Sequence, residues 1–163
     1  MNVGSCTGTQ PKEAWKLKQW QIWDYPVEVD RTATKEWYKQ SEGWNCECGD
    51  CQNFLALVKK GLLPSAVTEI LLPLGVLPEK PTYVCELSPA DAGHLYQFSY
   101  RIAGIMADNP RPNDTIRFDW GSGCCGHDCY PYGAPDFPEP HFDVIFFAEL
   151  PWVLDKIQES PDV

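Results

Sequence analysis

The segment Tyr96-Gln97-Phe98-Ser99-Tyr100-Arg101-Ile102 alternates large apolar side chains with polar ones at every position. A period of two residues is typical of a β-strand, because successive side chains of a strand point to opposite faces of the sheet. A similar alternation runs over residues 83–87, and the turn of residues 88–93 between the two segments is short enough for a hairpin. The middle of the chain therefore predicts two antiparallel strands.

Three further segments carry strand patterns. Residues 20–30 alternate in the same way, and Pro26 inside them predicts an edge strand, because proline has no N–H to give to a neighbouring strand. Residues 116–120 form another alternating set. Residues 142–150 are apolar on both faces, which favours a central strand covered on both sides.

Helix patterns lie between the first strand and the hairpin. Asp50 is well placed as the N-cap of a helix whose buried face carries Phe54 and Leu57. A second short helix is predicted over residues 65–72. Residues 34–40 could form another, but that segment is too brief for its pattern to decide.

Two helices ahead of a run of strands predict an α+β domain, in which a mainly antiparallel sheet has two short helices packed on one face. A β-sandwich with helical decoration is the alternative. Strands and helices do not alternate regularly, so a doubly wound parallel fold is not expected. At 163 residues the chain suits a single domain, residues 1–163, with a long Gly-, Pro- and Cys-rich loop over residues 121–140 and a polar C-terminal tail that frays.

The chain is acidic. Its 13 basic and 23 acidic residues leave a net charge of −10, which repels nucleic-acid phosphates and acidic membrane surfaces, so neither is expected as a partner. Its apolar runs are too short to span a bilayer. The N-terminus lacks the basic start and apolar run of a secretory signal, so a cytoplasmic protein is expected, with most of its eight cysteines reduced.

Three thiols lie within six residues of one another just ahead of the first predicted helix. Cys46, Cys48 and Cys51 are the main candidates for metal ligands, because Zn²⁺ prefers thiolates and takes four tetrahedral ligands. Only the last two form a Cys-x2-Cys pair, so a fourth ligand must come from elsewhere. The residues that could supply it are Cys6, His94, His141 and a weaker set of candidates in a glycine-rich segment, namely Cys124, Cys125, His127 and Cys129.

Two alternatives to a zinc site remain open for this turn. Cys48-Gly49-Asp50-Cys51 before a helix is similar in spacing to a thiol oxidoreductase motif, so a cysteine-dependent enzyme or thiol–disulfide protein is the competing function. The helix dipole predicts Cys51 as the most acidic thiol, whereas the charge of Asp50 opposes a thiolate. The other alternative is that the three cysteines are small, partly buried hydrophobic residues, as Cys85 is expected to be.

Three separate stretches of the sequence form one further pattern. They read Trp44-x-Cys46-x-Cys48-x2-Cys51-x-Asn53-Phe54, Leu74-Gly75-Val76-x2-Glu79-Lys80-Pro81 and Leu150-Pro151-Trp152-Val153-Leu154. Together they resemble a family of small uncharacterised Gram-positive bacterial proteins that has no assigned activity, cofactor or catalytic residue. The resemblance implies a single small cytosolic domain and no particular function.

The sequence as a whole favours a non-catalytic binding or interaction domain. It contains no nucleophile elbow, phosphate-binding loop or dinucleotide fingerprint. The expected partner is a protein or a small ligand that no motif identifies. Zn²⁺ at the three-cysteine turn is the only cofactor expected.

Overall fold

The alternating segment around Phe98 forms the middle of strand β4 (Gly93–Met106). The fold is that of a computed structural model, in which residues 17–90, 93–106, 115–127 and 133–154 are described. Strand β3 (Tyr83–Ala90) pairs with the first half of β4 in antiparallel register, as the hairpin pattern predicts. Strand β7 (His141–Leu150) runs antiparallel along the other edge of β4.

Four more strands complete the sheet formed by the described residues. They are β1 (Lys18–Ile22), β2 (Tyr25–Val29), β5 (Ile116–Phe118) and β6 (Gly121–Gly126). All pairings are antiparallel, and the strand order is β1-β2-β4-β7-β6-β5, with β3 beside β2 along the same edge of β4. The described part of the chain also contains three helices, so the predicted α+β class is confirmed. They are α1 (Arg31–Gln40), α2 (Gly49–Lys59) and α3 (Ser65–Leu71), and α3 is followed by a 3₁₀ turn (Leu72–Leu74).

Both predicted helices are present, and the segment over residues 34–40 that the pattern left undecided belongs to a third described helix, α1, of ten residues. The side chain of Asp30 caps it by accepting a hydrogen bond from the backbone N–H of Ala33 at 2.9 Å. An aspartate N-cap satisfies one of the N–H groups that the first turn of a helix leaves without a partner. The helix therefore begins three residues before the segment that its apolar pattern marks.

The core joins α2 to the centre of the sheet. The ring of Phe54 packs on Phe98 of β4, with centroids 4.9 Å apart, and Phe98 stacks on Phe146 of β7 at 5.3 Å. All three side chains are fully buried. Strand β7 lies between β4 and β6, so the prediction of a central strand over residues 142–150 is confirmed.

A gap between β3 and β2 on the edge of β4 is filled by helix α1. Strand β3 pairs with β4 up to Ser99, and β2 pairs with it from Gly104 onward. Between these positions the hydroxyl of Tyr38 donates to the carbonyl of Arg101 at 2.8 Å, and the N–H of Ala103 donates to the Thr34 hydroxyl at 3.0 Å. Helix side chains thus satisfy backbone groups that a strand would otherwise satisfy.

The single strand predicted over residues 20–30 is wrong, because the chain turns at Trp23, whose φ is +53°, and returns as β2. The edge position predicted from Pro26 is also wrong, since β2 lies between β1 and β4. Proline is tolerated there because the pairing with β4 begins only at Val27. Placing Trp23 in the turn carries its indole ring onto Phe146, with centroids 5.6 Å apart.

The loop predicted over residues 121–140 is wrong for its first six residues, which form β6. Gly123 allows this, because a Cβ atom there would collide with the indole ring of Trp23. Residues 133–140 contain neither helix nor strand. The remainder of the predicted loop, residues 128–132, and most of the predicted C-terminal tail, from residue 155, lie outside the described residues.

Among the described helices, none combines the length and the apolar character needed to cross a bilayer.

Candidate metal centre

The segment that joins α1 to α2 brings the three predicted thiols together. The ligand atoms of Cys46, Cys48 and Cys51 all lie within 4.8 Å of one another. Zn–S bonds of about 2.3 Å place tetrahedral sulfur ligands about 3.8 Å apart, so shifts of about 1 Å or less would close the set around one ion. The three sulfurs can therefore occupy one face of a tetrahedral site.

Cys48 fixes the start of α2. It is the N-cap residue, in extended conformation, and its sulfur accepts a hydrogen bond from the backbone N–H of Cys51 at 3.4 Å. The prediction that Asp50 is the N-cap is wrong, because Asp50 lies inside the first turn of the helix. Cys48 thus immediately precedes the helix and Cys51 lies in its first turn, so their two sulfurs are close together.

The indole of Trp44 contacts the cysteine cluster through the sulfur of Cys51. Its Nε1 donates a hydrogen bond to the sulfur of Cys51 at 3.1 Å, and its ring meets Tyr83 edge-on at 6.0 Å between centroids. An N–H donor directed at sulfur stabilises negative charge on that atom, and such donors orient the ligands of metal sites. Trp44 therefore holds Cys51 in position and favours its thiolate when an ion is bound.

The acidities of the thiols differ from the prediction. A backbone hydrogen bond from Cys48 lowers the pKa of Cys46, and the neighbouring thiols lower it further. Burial raises the pKa of Cys51 well above its ordinary value, and the Trp44 hydrogen bond offsets only part of this effect. Burial thus makes Cys51 a weaker acid than Cys46, contrary to the prediction that it is the most acidic of the three thiols.

The cluster lies at the surface and is open on one side. Cys51 is 4% exposed, Cys46 is half-buried and Cys48 is exposed. Among the residues that the structure describes, no fourth Cys, His, Asp or Glu completes the group. Cys6 and Cys129, two of the predicted fourth ligands, lie outside those residues.

Among the described residues, the weaker candidates Cys124, Cys125 and His127 belong to no group of converging metal-ligating side chains. Cys124 and Cys125 are buried in β6, where they lie opposite Ile145 and Val144 of β7. Because successive residues of a strand point to opposite faces, these two thiols diverge. Burial raises the pKa of Cys125, as expected for a core thiol. His127 is exposed just after the strand, and Cys129 lies outside the described residues.

A second group of metal-ligating side chains lies next to the helix start. The ligand atoms of Asp50, Glu86 and His94 also lie within 4.8 Å of one another. Burial, and then the charge of Glu86, raise the pKa of Asp50, whereas His94 lowers it. The sequence could not reveal this group, because its members are far apart in the chain and carry no common spacing.

A groove adjoins Cys46. It has a volume of about 860 Å³, and the indole rings of Trp37 and Trp44 are part of its lining together with the acidic residues Glu42 and Asp136. The Nε1 of Trp37 donates to the carboxylate of Asp136 at 3.2 Å. The groove thus places aromatic and acidic groups beside the cysteine cluster.

Comparisons with protein-family models, with curated proteins and with solved structures find no match for this chain.

Proposed function

We propose that this protein is a non-catalytic binding domain in which Cys46, Cys48 and Cys51 hold a structural Zn²⁺ ion. The observation that carries the proposal is the convergence of these three sulfurs to within 4.8 Å of one another. Thiolates are preferred Zn²⁺ ligands, and the ion has no redox chemistry of its own. The proposal assigns it the role of fixing the chain locally.

The position of the cluster explains what such an ion would stabilise. Residues 41–47 contain no regular secondary structure, and they connect α1 to α2. An ion shared by Cys46 and Cys51 would tie this connection to the first turn of α2. Binding energy gained on forming a metal site adds directly to folding stability.

The groove beside the cluster is the proposed binding surface. Trp44 belongs to both, since its Nε1 contacts Cys51 and its side chain lines the groove with Trp37. Aromatic side chains give large contact areas at low entropic cost, so they dominate many binding surfaces. An ion at the cysteines would hold one wall of this groove in place for a protein or small-ligand partner.

One observation favours the competing function, a cysteine-dependent enzyme or thiol–disulfide protein. The pKa of Cys46 is lowered, and this thiol is only half-buried. A thiolate at the surface is the reactive form of cysteine. The two functions use the same thiols but differ in whether an ion or an electrophile occupies them.

The test uses Co²⁺ as a spectroscopic substitute for Zn²⁺ in the full chain purified without a metal-affinity tag. We expect one Co²⁺ per chain with the intense near-ultraviolet absorption of thiolate ligation, and displacement of Co²⁺ by Zn²⁺. The variant C48S removes one thiolate but keeps a good N-cap, because serine caps helices well. C85S is the matched control, since Cys85 lies on β3 outside the cluster.

The proposal predicts loss of the thiolate absorption in C48S and its retention in C85S. Equal Co²⁺ spectra for C48S and the wild-type chain would overturn it, and so would the absence of thiolate absorption in the wild type. Rapid alkylation of Cys46 by iodoacetamide in the presence of excess Zn²⁺ would support the competing function instead.

A further inference from the structure

Asp50, Glu86 and His94 come from three different elements and converge beside the start of α2. Asp50 lies in the first turn of that helix, Glu86 on β3 and His94 on β4. Their ligand atoms lie within 4.8 Å of one another. The β3–β4 pairing places Glu86 and His94 near the end of the hairpin, so the sheet and the helix fix the group from two sides.

The imidazole is held in a defined orientation. Its Nδ1 lies 3.0 Å from Oε2 of Glu86, and its ring packs against the indole of Trp152 with centroids 5.4 Å apart. The side chains of His94 and Glu86 are only 12% and 17% exposed. Both groups are therefore ordered and partly shielded from water before any ligand arrives.

The imidazole and the Glu86 carboxylate form a hydrogen bond, and their separation would also suit two ligands of one metal ion. Metal bonds of about 2.1 Å at right angles place two donor atoms about 3.0 Å apart, which is the distance between Nδ1 and Oε2. The carboxylates of Asp50 and Glu86, whose ligand oxygens lie within 4.8 Å of each other, also repel, and partial burial strengthens the repulsion. A divalent cation between them would convert that repulsion into attraction.

We propose that Asp50, Glu86 and His94 form a second cation site, which binds a divalent first-row transition-metal ion such as Mn²⁺. One imidazole and two carboxylates form a donor set suited to Mn²⁺, Fe²⁺ or Zn²⁺, and water would complete the coordination. This donor set differs from the three thiolates of the first site. The two sites can therefore hold different ions.

The two sites are independent in their ligands but share the first turn of α2, because Asp50 lies between Cys48 and Cys51. The second proposal does not rest on the first. Mn²⁺ distinguishes them, since it favours oxygen and nitrogen donors over thiolates.

The test is a titration of the full wild-type chain with Mn²⁺, followed by electron paramagnetic resonance of the free ion. We expect one saturable site per chain. The variant E86Q keeps the size of the side chain and removes its charge, and it should weaken Mn²⁺ binding by about 10-fold or more. E47Q makes the same charge change at an exposed residue of the cysteine turn, so it should leave the affinity within about 2-fold.

Two more variants make the outcome decisive. H94Q should weaken Mn²⁺ binding as E86Q does, and circular dichroism of both variants checks their folding. C48S should bind Mn²⁺ like the wild type even when it no longer gives a Co²⁺–thiolate spectrum. The proposal is overturned if the wild type shows no saturable Mn²⁺ site, if E86Q and E47Q bind equally, or if C48S abolishes Mn²⁺ binding.

Discussion

The side-chain amide of Asn53 ties the C-terminal end of β7 to helix α2 through the backbone of Val153. Its Oδ1 accepts a hydrogen bond from the N–H of Val153 at 2.7 Å, and its Nδ2 donates to the carbonyl of Pro151 at 3.0 Å. Asn53 is completely buried, and its two partners lie on the partly exposed backbone that follows β7. The last described residues are thereby held against the helix that begins at the cysteine turn.

Replacing Asn53 with leucine should destabilise the protein strongly. The variant N53L keeps the branched shape of the side chain, with somewhat larger bulk, but leaves the N–H of Val153 and the carbonyl of Pro151 without this partner, so the free energy of unfolding should fall by about 2–4 kcal/mol. Urea unfolding monitored by tryptophan fluorescence measures the change. K59A, at an exposed position of the same helix, is the control and should change it by less than about 0.5 kcal/mol. Equal effects of the two variants would contradict the role of Asn53.

The Trp44 indole should strengthen metal binding at the cysteines. In W44F the ring that packs on Tyr83 remains, but the hydrogen bond to the Cys51 sulfur is lost. We expect the Zn²⁺ affinity, measured by competition with a chromophoric chelator, to fall by about 10-fold. W37F removes an indole N–H that contacts Asp136 instead, and its affinity should equal that of the wild type.

Metal affinity at the cysteine cluster should rise steeply with pH. The thiols must lose their protons to bind Zn²⁺, and burial raises the pKa of Cys51, so protons compete for the site throughout the neutral range. We expect the logarithm of the affinity to rise by about 2 to 3 per pH unit between about pH 6 and 8. Calorimetric titrations in buffers of different ionisation enthalpy count the released protons. An affinity independent of pH would argue against thiolate ligation.

Stability should fall at alkaline pH. Burial raises the pKa of Cys125 in the folded protein above its unfolded value, so this thiol contributes stability that is fully present below the unfolded pKa and is lost as pH rises above it. The loss should begin near pH 8.5 and amount to about 1.4 kcal/mol per pH unit for one such thiol. Chemical unfolding between about pH 7 and 10 measures it.

The variant C125V tests whether Cys125 causes the fall in the free energy of unfolding with rising pH. It should remove part of the pH dependence above about pH 8.5 while leaving the stability at pH 7 within about 1.5 kcal/mol of the wild type. Tyr38 and Tyr100, whose pKa values are also raised by burial, add a further loss above about pH 10. An unchanged slope in C125V would assign the alkaline loss to other groups.

The strands with strong side-chain patterns could be predicted from the sequence. Strands β4 and β7 carry alternating or continuous apolar residues, and both patterns follow from the burial of strand faces. In β3 the alternation over residues 83–87 predicts a strand but not its buried face, because Val84 is buried whereas Leu87 is 45% exposed. Strand β6 could not be predicted, because its glycines and small side chains have no period. Its conformation depends on pairing with β7 and on Trp23 packing over Gly123. Both contacts join residues that are distant in the sequence.

In the candidate site, too, features set by nearby residues could be predicted, whereas features set by distant contacts could not. Cys46, Cys48 and Cys51 are close in the sequence, so their convergence could be expected from spacing alone. The sequence does not predict the capping role of Cys48, because thiols are weak hydrogen-bond acceptors and are not among the preferred N-cap residues. The position of Glu86 beside His94 depends on the register of the hairpin, which contains an irregularity after Glu86 that the sequence pattern does not indicate.

Helix α1 closes the gap that β3 and β2 leave on the edge of β4. Unpaired strand edges recruit strands from other chains, which leads to aggregation or domain swapping. The contacts of Tyr38 and Thr34 with the β4 backbone block such recruitment at the centre of the sheet. Among the described residues, intermolecular strand addition is therefore left to the periphery of the sheet, at β1, β3, β5 and the part of β6 beyond Gly123 that β5 does not cover.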